Sequence, residues 1–277
     1  MEGYKKVTIY HGGDADSLLN EFLPLYSAFK DVSFNQKIEI DISKLKWINP
    51  LMVLFLSSFI NYTNSEYRAE GEVSSYLKTI KFPNGISLLK DGLKNKNYTP
   101  IYNFAKEFLP VDDFLTVVKN NIESFEYIEY PFSLTVSELF DNIIEHSKSE
   151  KNFIISQYYP LKKYLESCII DNGIGLRQTY LEKNIECLSD EKAIELALSG
   201  ESTKPGNERG CGLNMIIKII CEGLKGEVLL VSGSSLAFFK ESKTPNLLNL
   251  DNFSWKGLIV AFRIPKTNKK INTEKYY

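Results

Sequence analysis

The stretch Ser133–His146, SLTVSELFDNIIEH, decides how the rest of the chain reads. A helical period puts Glu138, Asp141, Asn142, Glu145 and His146 on one polar arc, and Val136, Leu139, Phe140, Ile143 and Ile144 on the opposite face. One helix therefore carries a core face and a face able to do chemistry. Taken alone, the pattern is also that of an ordinary amphipathic surface helix.

Two later segments favour the chemical reading. Ile169–Leu176, IIDNGIGL, is an apolar strand that runs into Asp171 and then Gly173 and Gly175. An acid at a strand end can accept a hydrogen bond from a base amine, and glycines let backbone approach a ligand closely. Glu208–Met215, ERGCGLNM, sets Gly210 and Gly212 directly before the apolar run Leu213–Cys221. A glycine loop entering a helix offers unpaired backbone N–H groups to phosphates.

In this order the three segments resemble the N box and the two glycine boxes of the GHKL (Bergerat-fold) ATPase superfamily. That superfamily includes gyrase, sensor histidine kinases and anti-sigma-factor serine kinases. The pattern is closest to the anti-sigma kinases, through Ser137, Glu138, Asn142 and His146, then Asp171, Gly173 and Gly175, then Arg209, Gly210 and Gly212. The resemblance implies ATP and Mg²⁺ as cofactors. It makes Glu138 the catalytic base, Asn142 the metal ligand and Asp171 the reader of the adenine amine. Gly173 and Gly175 would admit base and sugar, and Gly210 and Gly212 would cradle phosphate with Arg209. Lys204 is added from its charge in the lid-like loop, and His146 is a phosphate contact or a cap on the polar face. The family often has a threonine after a glycine on the last strand, where this chain has Gly257 and Leu258.

Composition fits a well-buried protein: 277 residues, 43% hydrophobic and 13% aromatic, with a formal net charge of −2. That charge gives no reason to expect nucleic acid or an anionic membrane as partner. The longest apolar run, Leu51–Ile60, is interrupted by Ser57 and Ser58 and is too short to span a bilayer. MEGYKKVTIY lacks the apolar core of a secretory signal, so a cytoplasmic location is the expectation. Four cysteines without a CxxC pair and two distant histidines argue against zinc.

Residues 41–59, DISKLKWINPLMVLFLSSF, read as strand, turn and apolar helix. This resembles the STAS domain of anti-sigma-factor antagonists, but Asn49, Pro50, Leu51 and Met52 stand where that family carries its phospho-acceptor serine. An unrelated small α/β domain is the alternative. The expected architecture is thus α/β: a STAS-like domain over 1–110, a Bergerat α/β sandwich with a mixed sheet covered by helices on one face over 111–268, and a polar tail over 269–277. Helix is expected at Glu191–Leu198, and strands at Phe153–Tyr159, Tyr164–Asp171, Glu227–Ser232, Ala237–Lys240 and Gly257–Ile264.

The implied function is a cytoplasmic Mg·ATP-binding regulator that hydrolyses ATP or passes its γ-phosphate to a partner protein. The alternative is a non-catalytic, ATP-dependent interaction switch, and self-association as a homodimer is left open. A sensor-kinase fragment is disfavoured, since neither His11 nor His146 lies in a phospho-acceptor helix before the N box. A gyrase-like clamp is disfavoured because little chain follows the last expected strand.

Overall fold

The computed structural model describes residues 5–11, 16–87, 96–105, 110–122, 125–199, 212–241 and 244–276. Three short strands, β1 (Lys6–Thr8), β2 (Glu39–Asp41) and β3 (Glu66–Arg68), form a parallel sheet in that order. Between them run α1 (Leu18–Phe29) and α2 (Pro50–Thr63), and α3 (Gly71–Thr79) follows. Parallel neighbours need such crossovers, because a tight turn can only reverse the chain.

Local chemistry sets the limits of α2. The Met52 N–H donates to Asn49 Oδ1 at 2.7 Å, and Pro50, at the helix start, needs no intrahelical partner for its nitrogen. At the far end Asn64 turns left-handed, at φ 53°. Every residue from Pro50 to Ile60 is buried, as expected of a helix that is apolar all round and lies between two layers.

The rest of the chain supplies β4 (Tyr102–Phe104), α4 (Val111–Asn121), α5 (Glu129–Asn142), β5 (Asn152–Tyr159) and β6 (Tyr164–Asp171). It continues with α6 (Gly175–Glu182), α7 (Asp190–Ser199), α8 (Gly212–Ile217), β7 (Glu227–Gly233), β8 (Ser235–Lys240), β9 (Asn246–Asn249) and β10 (Trp255–Pro265). The seven strands form one sheet in the order β4-β5-β6-β10-β7-β8-β9.

The expectation of a mixed sheet covered on one face is corrected on both counts. Every pairing between the seven strands is antiparallel, the isolated bridge of Ile86 to Tyr102 on β4 being parallel. Both faces are buried: Leu165, Ile169, Leu230, Val260 and Phe262 pack into a core with α4, α5 and α8. Their neighbours Cys168, Ile170, Leu229, Val231 and Ala261 pack into a second core with α1 and α2. Successive residues of a strand point to opposite faces, so strands that are apolar at every position need a layer on each side. The N-terminal residues are that second layer.

Charge also crosses this seam. On adjacent strands Glu166, Arg263 and Glu227 stand in register across β6, β10 and β7, on the face toward α1. Arg263 Nη2 donates to Glu166 at 3.0 Å and to Glu21 of α1 at 2.8 Å, and Glu227 accepts from the Leu18 N–H at 3.0 Å. The first turn of α2 brings the Leu51 N–H to Glu166. α1 and α2 thus set their positive ends against carboxylates of the sheet.

Burial, with Glu166 close by, pushes the Glu21 carboxyl up to about 10 from an ordinary 4.5. A carboxyl that holds its proton in the fold and loses it on unfolding makes stability fall as pH rises between those two values. The slope contributed by one group is at most about 1.4 kcal/mol per pH unit. Glu21→Gln keeps an acceptor for Arg263 and removes the titration. Its unfolding midpoint is expected to match the parent near pH 4.5 and to exceed it progressively at pH 7 and pH 9. Parallel pH profiles from thermal denaturation of the two proteins would rule this out.

Candidate functional site

α5 buries Val136, Leu139 and Phe140 in the helical-layer core and leaves Glu138 and Asn142 half-buried on its other side. After Asn142 the helix widens into a π-helical turn, Ile143–Ser147, that closes with Lys148 at φ 55°. Ile143 stays in the core but Ile144, expected there, is only half-buried, because the wider turn rotates the residues beyond it. Asp141 and Glu145 are exposed. The His146 side chain is 21% exposed, with Nε2 3.5 Å from Glu145 Oε2.

The end of that π turn meets the first glycine segment. Ser147 O accepts from the Ile174 N–H at 2.8 Å. A Cβ on Gly173 would lie 1.8 Å from the same oxygen, so only glycine allows this approach. The space beside Gly173 is filled by the chain's own backbone. Gly175 opens α6 behind it.

Asp171, at the end of β6, is 3% exposed. Its Oδ1 accepts from the Gly173 N–H at 2.8 Å, and its carbonyl accepts from Trp255 Nε1 at 3.2 Å. Burial pushes the carboxyl up to about 7, although N–H groups of Gly173 and Leu258 hold it down. Leu258 is the direct cross-strand partner of Asp171, so the position beside the carboxylate is apolar.

The third segment is described only from Gly212 onward. The Gly212 N–H, at the start of α8, donates to Glu138 Oε1 at 3.0 Å, and a Cβ there would meet nothing within 4 Å. Glu138 therefore satisfies a free N–H of the helix start, with its charge at the favourable end of the dipole. Lys204, Arg209, Gly210 and Cys211 lie outside the described residues.

Asn142 is one helical turn from Glu138, and its Nδ2 is buried with no hydrogen-bond partner among the described residues. A side-chain amide can present either its oxygen or its nitrogen to a site, so Asn142 has bonding capacity to spare. Among the described residues no three His, Cys, Asp or Glu side chains converge as a self-sufficient metal site. A cavity of about 960 Å³ opens between the two layers beside Phe34, Trp255, Ile174 and Gly175, and neither Glu138, Asn142 nor Asp171 lines it.

Sequence reasoning missed Ser147, Trp255 and the pair Ser58–Asn172. Ser58 Oγ donates to Asn172 Oδ1 at 2.8 Å, and Asn172 Nδ2 donates to Ser58 O at 3.4 Å. A signal for the last pair was present, because a hydroxyl inside a wholly apolar run needs a partner. No helix among the described residues is long and apolar enough to cross a membrane. No family model matches the chain, and no curated protein matches it.

Proposed function

We propose that this chain is a cytoplasmic Mg·ATP-binding regulatory protein of the anti-sigma-kinase-like GHKL type, which hydrolyses ATP or passes its γ-phosphate to a partner protein. In this reading the sheet with α4, α5 and α8 is a Bergerat sandwich and the N-terminal layer is STAS-like. The observation that carries it is convergence on one helix. Ser147 just beyond α5 bonds the Ile174 N–H, and Glu138 on α5 bonds the Gly212 N–H. The first glycine segment thereby meets the end of the central helix, and the start of α8 meets the same helix nine residues earlier.

Asn142, Asp171 and Glu138 are of the chemical kind that their assigned groups require, whereas the space beside Gly173, assigned to base and sugar, is taken by the Ser147 backbone. Asn142 would offer an amide oxygen to Mg²⁺, a hard ion that takes oxygen ligands and keeps several waters. The bound metal supplies neutralisation of phosphate charge. Asp171 would accept from the base amine. Gly212 would border the phosphates, and Lys204, Arg209 and Gly210, which precede it in the sequence, would bind them. Glu138 stands beside that helix start, where a base acting on water or a hydroxyl is needed.

Calorimetric titration tests the reading: the parent protein is expected to bind ATP saturably and with a requirement for Mg²⁺. Asp171→Ala removes a buried charged acceptor worth roughly 1.5–3 kcal/mol, so affinity falls about 10- to 150-fold. Absence of binding by the parent at millimolar Mg·ATP, or an unchanged affinity in the variant, would overturn the assignment.

A further inference from the structure

Beyond its own core, α2 reaches the motif loop. The Leu51 N–H at its start faces Glu166, and seven residues later Ser58 bonds Asn172, the residue between Asp171 and Gly173. One turn further, Asn61 Oδ1 accepts from Lys151 Nζ at 2.6 Å, just past the π turn of the central helix. Ser58 is fully buried and sits on the side of the sheet opposite α5. The N-terminal layer therefore touches the candidate site from behind, at the loop that follows Asp171.

The bonds are of a kind that fixes a loop. Ser58 and Asn172 exchange two hydrogen bonds, one from each side chain, so the peptide after Asp171 is held from below. Trp255 holds the Asp171 carbonyl and stacks edge-on against Phe34 of the N-terminal layer, with ring centroids 4.8 Å apart. With its carbonyl and the following residue both fixed, Asp171 keeps little freedom to reorient its carboxylate.

We propose that Ser58 is a positioning residue for the loop that follows Asp171, through which docking of the N-terminal layer and nucleotide binding become one linked equilibrium. This rests on the ATP-binding reading above. Linkage is reciprocal: whatever loosens α2 from Asn172 weakens nucleotide binding, and bound nucleotide holds α2 in place by the same factor. A partner that pulls on the N-terminal layer would thus control the site without entering it.

The test uses the full chain with Ser58→Ala, Asn172→Ala and the double variant. Hydrogen exchange of the nucleotide-free proteins is read over residues 169–176, and Mg·ATP affinity is read by calorimetry. Loss of one such bond is expected to speed exchange of the Gly173 and Ile174 amides about fivefold and to weaken affinity about fivefold. The double variant is expected to match Asn172→Ala, because Ser58→Ala removes one of the two bonds and Asn172→Ala removes both. In the parent, saturating Mg·ATP should slow exchange along the second half of α2.

A purely structural serine would lower the unfolding temperature and leave local exchange and affinity below it unchanged, which would overturn the proposal. Additive losses in the double variant, or faster exchange with unaltered affinity, would do so too. If the parent binds no ATP, the functional reading falls and the nucleotide half of this proposal with it. The exchange measurement then decides alone whether Ser58 holds the loop.

Discussion

Arg263→Ala is expected to cost about 3–5 kcal/mol of stability, the range found when one member of a buried ion cluster is deleted and its partners stay behind. The partners here are unusually many. Glu21 and Glu166 are fully buried and Glu227 nearly so, and the guanidinium reaches all three, at 2.8, 3.0 and 3.9 Å. It also lies 4.3 Å from the centre of the Tyr164 ring, a contact that alanine forfeits. Without Arg263, Glu166 would be left in a dry chamber without its cation and could remain only by taking up a proton, as Glu21 already does, while Glu227 keeps Lys240 at 3.1 Å. The chamber joins α1 to three adjacent strands, so the loss falls on the docking of the N-terminal layer.

Typical total stabilities are about 5–15 kcal/mol, so a loss of this size is a large part of the whole. At roughly 2–4 °C per kcal/mol, the unfolding temperature should fall by about 6–20 °C. Adding Glu21→Gln to Arg263→Ala should restore part of the loss at neutral pH, since it removes a carboxyl that burial obliges to hold a proton. Urea denaturation of the parent and the two variants checks both statements. A loss under about 1 kcal/mol would mean that water reaches the cluster and that the seam is held by apolar packing alone.

Much of this architecture was legible in the chain because each signal was local. The strands expected at Phe153–Tyr159 and Tyr164–Asp171 are β5 and β6, and the helix expected at Glu191–Leu198 is within α7. Their alternation, turn residues and capping chemistry act over a few neighbours. β9 escaped notice because four residues, NLLN, mostly exposed on a sheet edge, carry no burial pattern. The layer on the second face was missed for the opposite reason. Runs such as Val228–Val231 are apolar at every position, and periodicity alone cannot say which element covers each side.

The candidate site shows the same division. A helix period puts Glu138 and Asn142 on a polar arc and a strand end places Asp171, and the resemblance to the three boxes singled them out there. That Glu138 would accept from Gly212, or that Ser147 would press on Gly173, depends on contacts between distant segments. Ser58 is the sharpest instance: it was visible as an interruption in Leu51–Ile60, but its partner lies 114 residues away. Polar residues at buried strand positions, Glu166 and Arg263 among them, were similarly readable as polar and unreadable as a cluster.

The last expectation separates binding from chemistry on the central helix. Glu138→Gln is expected to leave Mg·ATP affinity near that of the parent while lowering turnover by about 10²- to 10⁴-fold, the usual contribution of a positioned general base. The substitution is informative because of the bond Glu138 makes. Its Oε1 accepts from the Gly212 N–H at 3.0 Å, and the carbonyl oxygen of glutamine can accept the same hydrogen. The start of α8 should therefore stay capped and the glycine backbone stay in place, so that only the ability to take a proton is lost. Asn142→Ala, one turn along the same face, should instead weaken Mg·ATP binding itself, because it deletes the oxygen assigned to the metal. Single-turnover phosphate release and phosphoryl transfer, measured with and without partner proteins, distinguish the two. Unchanged turnover in Glu138→Gln would remove Glu138 as the base. If the parent binds Mg·ATP but no turnover is detectable even with partners present, the chain is a nucleotide-dependent interaction switch, and Glu138 serves to tie α8 to the central helix.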